Sequence, residues 1–517
     1  MTPNTAELYS SHIPALATLV SLGWDYLSPE DCLAARGGSQ GVVLRDMLVE
    51  QLRRRTFDYK GRTYPLSTNA IDQIVRELSS PALNEGLITA NEKLYNAITL
   101  GITVTEFVDG KKHSVTVPII DWSHPLANSF VVSDEMEVLA VPGTHTRRPD
   151  IVGFVNGIPL LVIEAKRPDS GNPNKSMVDE GISQTIRNQG QEEIPHLFAY
   201  VQLLMSIGMT DGRYGTTRTP RKFWAQWREE EFSEDHFRQI KNAAKETDPR
   251  AAILKNHVRE VRDHFQHLWS DEQEVTAQDR LLIGLCKPER LLEFVRSYVL
   301  FDRKVDKIVA RHQQFFGIRA LLDQISRVKP DGAREGGVIW HTTGSGKSFT
   351  MVMLCKALLL HEKLKACRLV VVTDRRDLEK QLAGNFLTGG AFGSDIGSKD
   401  AGRAKAQSGR DLAKRIGQGT ERIIFTIINK FGSAARHPEC RNDSADMIVL
   451  VDEGHRSQGG ENHERMRKAL PNAAYVAFTG TPLLKDDKTA NKFGRIVHAY
   501  TMKDAVSDGT VTPLLYE

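Results

Sequence analysis

Two groups of residues in this chain have types and spacings that chemistry can use. The first is His341-Thr342-Thr343-Gly344-Ser345-Gly346-Lys347-Ser348, set between the apolar run Gly337–Trp340 and a helical stretch, Phe349–Leu360. A glycine-rich turn that opens a helix aims successive backbone N–H groups at phosphate oxygens. Thr343, Gly344, Ser345 and Gly346 would form the cradle. Lys347 would reach the β- and γ-phosphates, and Ser348 would place its hydroxyl on Mg²⁺. The strict form of this loop has glycine where the chain has His341. Further on, Met447-Ile448-Val449-Leu450-Val451-Asp452-Glu453-Gly454-His455 reads as a buried strand ending in two carboxylates. Asp452 suits the Mg²⁺ shell, Glu453 the orientation of an attacking water. A glycine-rich loop alone is a weak signal; the same loop followed by an apolar strand ending in Asp-Glu is a strong one.

The second group is Arg148-Pro149-Asp150 followed by Glu164-Ala165-Lys166. Two carboxylates bind Mg²⁺, and a lysine beside them polarises the attacking water or stabilises a pentavalent phosphate. This is the PD-(D/E)xK nuclease pattern. Glu164 and Lys166 are two apart and share one face of a strand, whereas Ala165 points to the other. Asn156-Gly157 marks a hairpin turn. A two-residue turn pairs 155 with 158 and 150 with 163, which puts the two carboxylates on opposite faces. The pattern therefore predicts a three-residue loop or a bulge that corrects the register. Gln184 and Gln189, on the next helical stretch (Ile182–Gln191), are candidates for supporting the metal site or touching the DNA backbone.

Other short motifs follow the order of a superfamily 2 helicase core. Val370-Val371-Val372-Thr373-Asp374-Arg375-Arg376 is a strand ending in a basic loop, and Arg375 is the candidate DNA-backbone contact. Phe478-Thr479-Gly480-Thr481-Pro482 places the hydroxyls of Thr479 and Thr481 where they can sense the γ-phosphate and relay its state toward DNA. His455 belongs with them as a coupling residue. Upstream, Gln314 can read the adenine edge with one donor and one acceptor.

The elements that must position these groups fall into two kinds. Strand-like segments between Ile98 and Val141, and the hairpin of 150–167, suggest a mixed sheet flanked by helices. Beyond a boundary within 250–290, strands near 336–340, 369–373, 422–428, 447–451 and 474–478 alternate with helical patterns, which indicates a parallel sheet covered on both faces. The expected organisation is a PD-(D/E)xK endonuclease domain over 1–260, a helical connector over 261–300 and a RecA-like α/β helicase domain over 301–517. The chain has 517 residues, of which 40% are hydrophobic and 26% charged, as in an ordinary soluble protein. Its 68 basic and 65 acidic residues leave a net charge of +3, so nucleic acid must be held by local patches and not by a global field. The five cysteines show no CxxC spacing, which argues against a zinc module or a disulfide framework. Pro14 interrupts the N-terminal apolar stretch, which argues against a signal peptide, and no apolar run is long enough for a membrane span. A cytoplasmic protein without membrane contact is expected.

With both halves read, the chain resembles the restriction (R) subunit of type I restriction-modification enzymes. The resemblance rests on Arg-Pro-Asp-Ile-Val (148–152), Val-Ile-Glu-Ala-Lys-Arg-Pro (162–168), His-Thr-Thr-Gly-Ser-Gly-Lys-Ser (341–348), Asp-Glu-Gly-His-Arg-Ser-Gln (452–458) and Phe-Thr-Gly-Thr-Pro (478–482). It implies a type I site-specific deoxyribonuclease subunit that docks onto methyltransferase and specificity subunits. Such a subunit pumps double-stranded DNA with ATP and cuts, with Mg²⁺, away from the recognition site. The family's glutamine-and-tyrosine motif is half matched, because Gln184 is followed four positions on by Asn188. Only 35 residues follow Pro482, too few for the family's second RecA-like domain. The chain is accordingly expected to be the N-terminal portion of a larger subunit. The competing readings are a repair or phage-defence helicase–nuclease that acts without a methyltransferase, and an ATP-binding DNA clamp without turnover.

Overall fold

The structure, a computed structural model, describes residues 6–168, 176–243, 249–302, 305–373, 405–452, 460–481 and 493–511. The chain divides into two compact units, residues 1–299 with 306–309, and residues 300–305 with 310–517.

The first unit is built on a six-stranded mixed sheet. Its strands, in chain order and in spatial order, are β1 (Asp25–Tyr26), β2 (Phe130–Asp134), β3 (Ile151–Val155), β4 (Ile158–Ala165), β5 (Leu203–Ile207) and β6 (Gly212–Gly215). β1 runs parallel to β2 and β4 parallel to β5, while the other neighbours are antiparallel. Every residue of β2, β3, β4 and β5 is buried. Strands covered on both faces read as unbroken apolar runs, and Ile158–Ile163 is such a run. α1 (Ile13–Ser21) precedes the sheet, and α2 (Met177–Asn188) begins where the Ser176 hydroxyl accepts from the Asp179 N–H.

Residues 261–300 do not stand apart as a connector. They contribute α3 (Ala277–Cys286) and α4 (Pro288–Ser297) to the first unit. Asp279 caps α3 and, fully buried, accepts from Thr18 of α1 at 2.7 Å and from Lys241 at 2.6 Å. The Trp24 indole donates to the Cys286 carbonyl at 2.8 Å. A buried carboxylate with this many partners fixes the helix to the sheet's outer layer.

The second unit holds α5 (His312–Ser326), β7 (Gly337–His341), α6 (Lys347–Leu360), β8 (Arg368–Thr373), α7 (Gly409–Gln418), β9 (Ile423–Ile427), β10 (Met447–Asp452), β11 (Ala474–Thr479) and β12 (Ile496–Tyr500). The strand order is β9-β8-β10-β11-β7-β12, and every pairing is parallel. In such sheets ligands bind at the carboxyl ends of the strands. Here β10, β11 and β7 are neighbours, so Asp452, Thr479 and the loop after His341 emerge side by side. Among the described residues no helix is long and apolar enough to cross a membrane.

Candidate active sites

The hairpin of the first unit settles the register question. Asn156 and Gly157 both have positive φ, 52° and 83°, as a two-residue turn of the tight hairpin type requires. Gly157 is needed for space as well, since a Cβ there would lie 2.4 Å from the Leu44 carbonyl oxygen. Asn156 is buried and holds the turn, accepting from the Ser129 N–H and donating to the Ile119 carbonyl and Asn128. Ile158 pairs with Val155 and Pro159 with Phe154, but Leu161 pairs with Gly153. Leu160 is therefore bulged out of register, next to a proline that has no N–H for the ladder. Beyond the bulge Ile163 faces Ile151, so Glu164 stands across from Asp150. The bulge, and not a longer loop, brings the carboxylates together.

Lys166 closes the cluster. Its ammonium lies 3.0 Å from Asp150 Oδ2 and 3.4 Å from Glu164 Oε2, and the Ala165 N–H also donates to Asp150 Oδ2, at 2.8 Å. Burial, reinforced by the charge of Asp150, pushes the Glu164 carboxyl well above the ordinary range despite the pull of Lys166. For Lys166 burial acts to lower the pKa, but Asp150, Glu164 and Glu7 outweigh it and the ammonium is held charged. Glu164 Oε1 is buried and meets no hydrogen-bond donor among the described residues. An orphaned carboxylate oxygen in a buried site beside a second carboxylate fits a divalent cation. Among the described residues no three or more His, Cys, Asp or Glu side chains converge as a metal site, and the carboxylates that hydrogen-bond Lys166 are Asp150 and Glu164.

The surroundings of this cluster include residues the sequence reading missed. Glu7 approaches the Lys166 ammonium to 4.0 Å. His12 Nε2 lies 3.2 Å from Asp134 Oδ2, and the Tyr26 hydroxyl donates to Asp134 Oδ1 at 2.8 Å. Burial opposes the charge on both members of this ion pair. Their mutual hydrogen bond wins, raising the pKa of His12 and lowering that of Asp134. Asp134 was legible in principle, because Phe130-Val131-Val132-Ser133-Asp134 is an apolar strand ending in an acid, like the run to Asp452. Glu7 and His12 carry no such signal. Of the two glutamines, Gln189 is a tether: its amide donates to the Thr185 carbonyl and accepts from the Arg218 N–H. Gln184 is half-buried on α2.

In the second unit the phosphate loop has the expected backbone. Gly344 and Gly346 adopt φ of 86° and 88°, which strongly favours glycine, and Gly346 caps α6. The Ser345 hydroxyl donates to the Thr342 carbonyl at 2.6 Å, and the Lys347 ammonium to the His341 carbonyl at 3.3 Å. Thr343 is exposed and Ser348 half-buried. A Cβ on Gly480 would lie 2.9 Å from Thr343 Oγ1 and 3.2 Å from Lys347 Nζ, so the absent side chain keeps space open against the loop. Thr479 is buried at the end of β11, its hydroxyl accepting from the Thr481 N–H at 3.3 Å. Asp452 is buried at the end of β10, across from Phe478.

Gln314, the candidate adenine reader, sits against the phosphate loop. Its amide nitrogen donates to the Gly346 carbonyl at 3.2 Å and the Thr350 hydroxyl at 3.3 Å, and its oxygen accepts from the Arg311 N–H at 2.9 Å. Both ends are thus committed to the phosphate loop and its own helix start. His341, the departure from the strict loop, is fully buried, with Nε2 2.9 Å from His498 Nδ1 on β12. Burial, with the nearby positive groups His498, Lys347 and His312, drives its pKa well down, so the ring is neutral. Arg375, Glu453 and His455 lie outside the described residues.

Residues 5–223 match the family described as the type I restriction enzyme R protein N terminus, and residues 313–517 match that of SWI2/SNF2 ATPases. The type I restriction enzyme HindI endonuclease subunit of Haemophilus influenzae is 31% identical over 97% of this chain and 45% of its own length. A Methanocaldococcus jannaschii protein, MjaIXP, assigned to the same class of subunit, is 29% identical over 99% of this chain and 46% of its own. Among solved structures, the ATP-dependent type ISP restriction-modification enzyme LlaBIII bound to DNA aligns at 14% identity and a TM-score of 0.29, covering 49% of this chain and 20% of that one. The chain spans about half the length of the curated relatives it matches. Over residues 5–223 the chain carries the match to the R-protein N terminus, and along nearly its whole length it is similar to endonuclease subunits of type I restriction enzymes.

Proposed function

We propose that this chain supplies the cutting centre and the ATP-binding half of the motor in a type I restriction enzyme. The observation that carries the nuclease reading is the Lys166 ammonium bridging Asp150 and Glu164 while Glu164 Oε1 is buried without a donor among the described residues. Asp150 and Glu164 would hold Mg²⁺, which supplies Lewis-acid activation of water and neutralises phosphate charge. Lys166 keeps its proton and stabilises the extra negative charge on the attacked phosphate. The motor reading is supported by the phosphate loop, by Lys347, and by the open space at Gly480. Lys347, Ser348 and Asp452 would hold ATP and its Mg²⁺, with Glu453 orienting the water. Double-stranded DNA is the proposed substrate, and methyltransferase and specificity subunits are the proposed partners.

Because the two centres are built on separate sheets, they should be separable by mutation. In the assembled enzyme Asp150→Ala, Glu164→Ala or Lys166→Ala should each abolish cleavage and spare DNA-stimulated ATP hydrolysis. Loss of both activities in all three folded variants would show that the hairpin is structural.

A further inference from the structure

We infer that Trp340 is a positioning residue that ties the phosphate loop to Thr479-Gly480-Thr481, so that this segment registers whether a γ-phosphate is bound. The inference rests on the ATP site proposed above. Trp340 pairs with Thr479 across β7 and β11, and its indole Nε1 donates to the Gly480 carbonyl at 3.2 Å. Gly480 is therefore held on one side by an indole. On its other side it faces the loop closely enough that a Cβ would stand 2.9 Å from Thr343 Oγ1 and 3.2 Å from Lys347 Nζ.

The next residue, His341, points to the opposite face of the strand, where it meets His498. The root of the loop is thus gripped from both faces. The Lys347 ammonium rests on the His341 carbonyl at 3.3 Å. A phosphate oxygen will take that ammonium over, since it carries a full negative charge where the carbonyl offers only a dipole. Gly480 lies against the moving ammonium, and the indole hydrogen bond fixes the position from which it responds. The β-phosphate of a diphosphate also draws the ammonium, but it leaves empty the γ position beside Gly480, so the Thr479-Gly480-Thr481 segment has nothing to register.

The test uses the 517-residue chain. Of its six tryptophans (24, 122, 224, 227, 269 and 340), Trp340 alone lies in the second unit. Saturating Mg²⁺ with a non-hydrolysable ATP analogue should change tryptophan fluorescence, Mg²⁺ with ADP should not, and Trp340→Phe should abolish the response. By calorimetry Trp340→Phe should bind ADP as the parent does and the triphosphate about fivefold more weakly, the loss expected for one neutral hydrogen bond. A purely structural role would weaken both nucleotides alike, and that result, or an unchanged triphosphate affinity, overturns the inference. Should the variant not fold, the six indole N–H resonances of the parent decide. One must move with the triphosphate and stay with ADP; if none does, the inference fails. A parent chain that binds neither nucleotide overturns the ATP site itself, an outcome distinct from the others.

Discussion

Glu164 is fully buried, its Oε2 lies 3.4 Å from the Lys166 ammonium and its Oε1 meets no donor among the described residues. Burial and the neighbouring Asp150 raise its pKa in the folded chain. A carboxyl whose folded pKa is raised favours folding fully below its unfolded value. That contribution is lost as the pH rises through the folded value, because an ionised carboxylate is then kept in a dry site. Without divalent cations Glu164→Gln should therefore stabilise the protein on the alkaline side, by on the order of 1 kcal/mol for each unit of pKa elevation. The gain should shrink as the pH falls toward the ordinary carboxylate range. Thermal unfolding of both proteins across pH checks this; a variant less stable than the parent at alkaline pH refutes the account. Added Mg²⁺ should raise the parent's midpoint and leave the variant's nearly unmoved. In the other unit Lys347→Ala should abolish ATP binding and leave the nuclease unit folded, because one ammonium supplies the main cation for the β- and γ-phosphates. Near-normal affinity in a nucleotide titration would sink that assignment.

Elements decide whether these residues can meet. α2 lies on the cutting site through Gly181, where a Cβ would come within 2.3 Å of Ser206 Oγ and 3.3 Å of both Glu164 Cβ and Lys166 Cε. The Ser206 hydroxyl donates to the Val178 carbonyl at 2.7 Å, so it cannot turn away without breaking that bond. Gly181→Ala should cost about 1–3 kcal/mol and reduce cleavage while ATP binding stays normal. Chemical denaturation and a cleavage assay test this together; unchanged cleavage would mean that α2 does not position the site. The parallel strands of the second unit were legible in the sequence, because strands buried on both faces are unbroken apolar runs. β12 was not, since Ile496, Val497 and His498 are only half-buried and Ala499 is exposed at the sheet edge. For the hairpin, the alternation of Glu164 and Lys166 was readable and the bulge was stated as one of two possibilities. Pro159, which has no N–H for the ladder, was a signal for the bulge that the sequence reading did not use. The His12–Asp134 pair was invisible because its partners are 122 residues apart and meet only through the fold.

At the scale of the whole chain, the described residues hold a six-stranded mixed sheet with the proposed cutting site and a six-stranded parallel sheet with the phosphate loop, beside four two-stranded sheets. The relatives it matches are about twice as long. On an ATP site of this kind, phosphates and Mg²⁺ are held by one domain through groups such as Lys347, Ser348 and Asp452. The charge of the transition state is met by an arginine from a facing domain, which is worth ~10³–10⁵ in rate. Binding and turnover should therefore separate in these 517 residues taken alone. The chain is expected to bind ATP·Mg²⁺, to hydrolyse it slowly, and to be barely stimulated by double-stranded DNA. It should not displace a third strand from a triplex, because displacement needs a cleft that closes and opens with each ATP. Weak, nonspecific nuclease activity should persist, since Asp150, Glu164 and Lys166 are all held by the first unit. ATP-dependent triplex displacement by this chain alone would show that the parallel sheet of the second unit already belongs to a working motor.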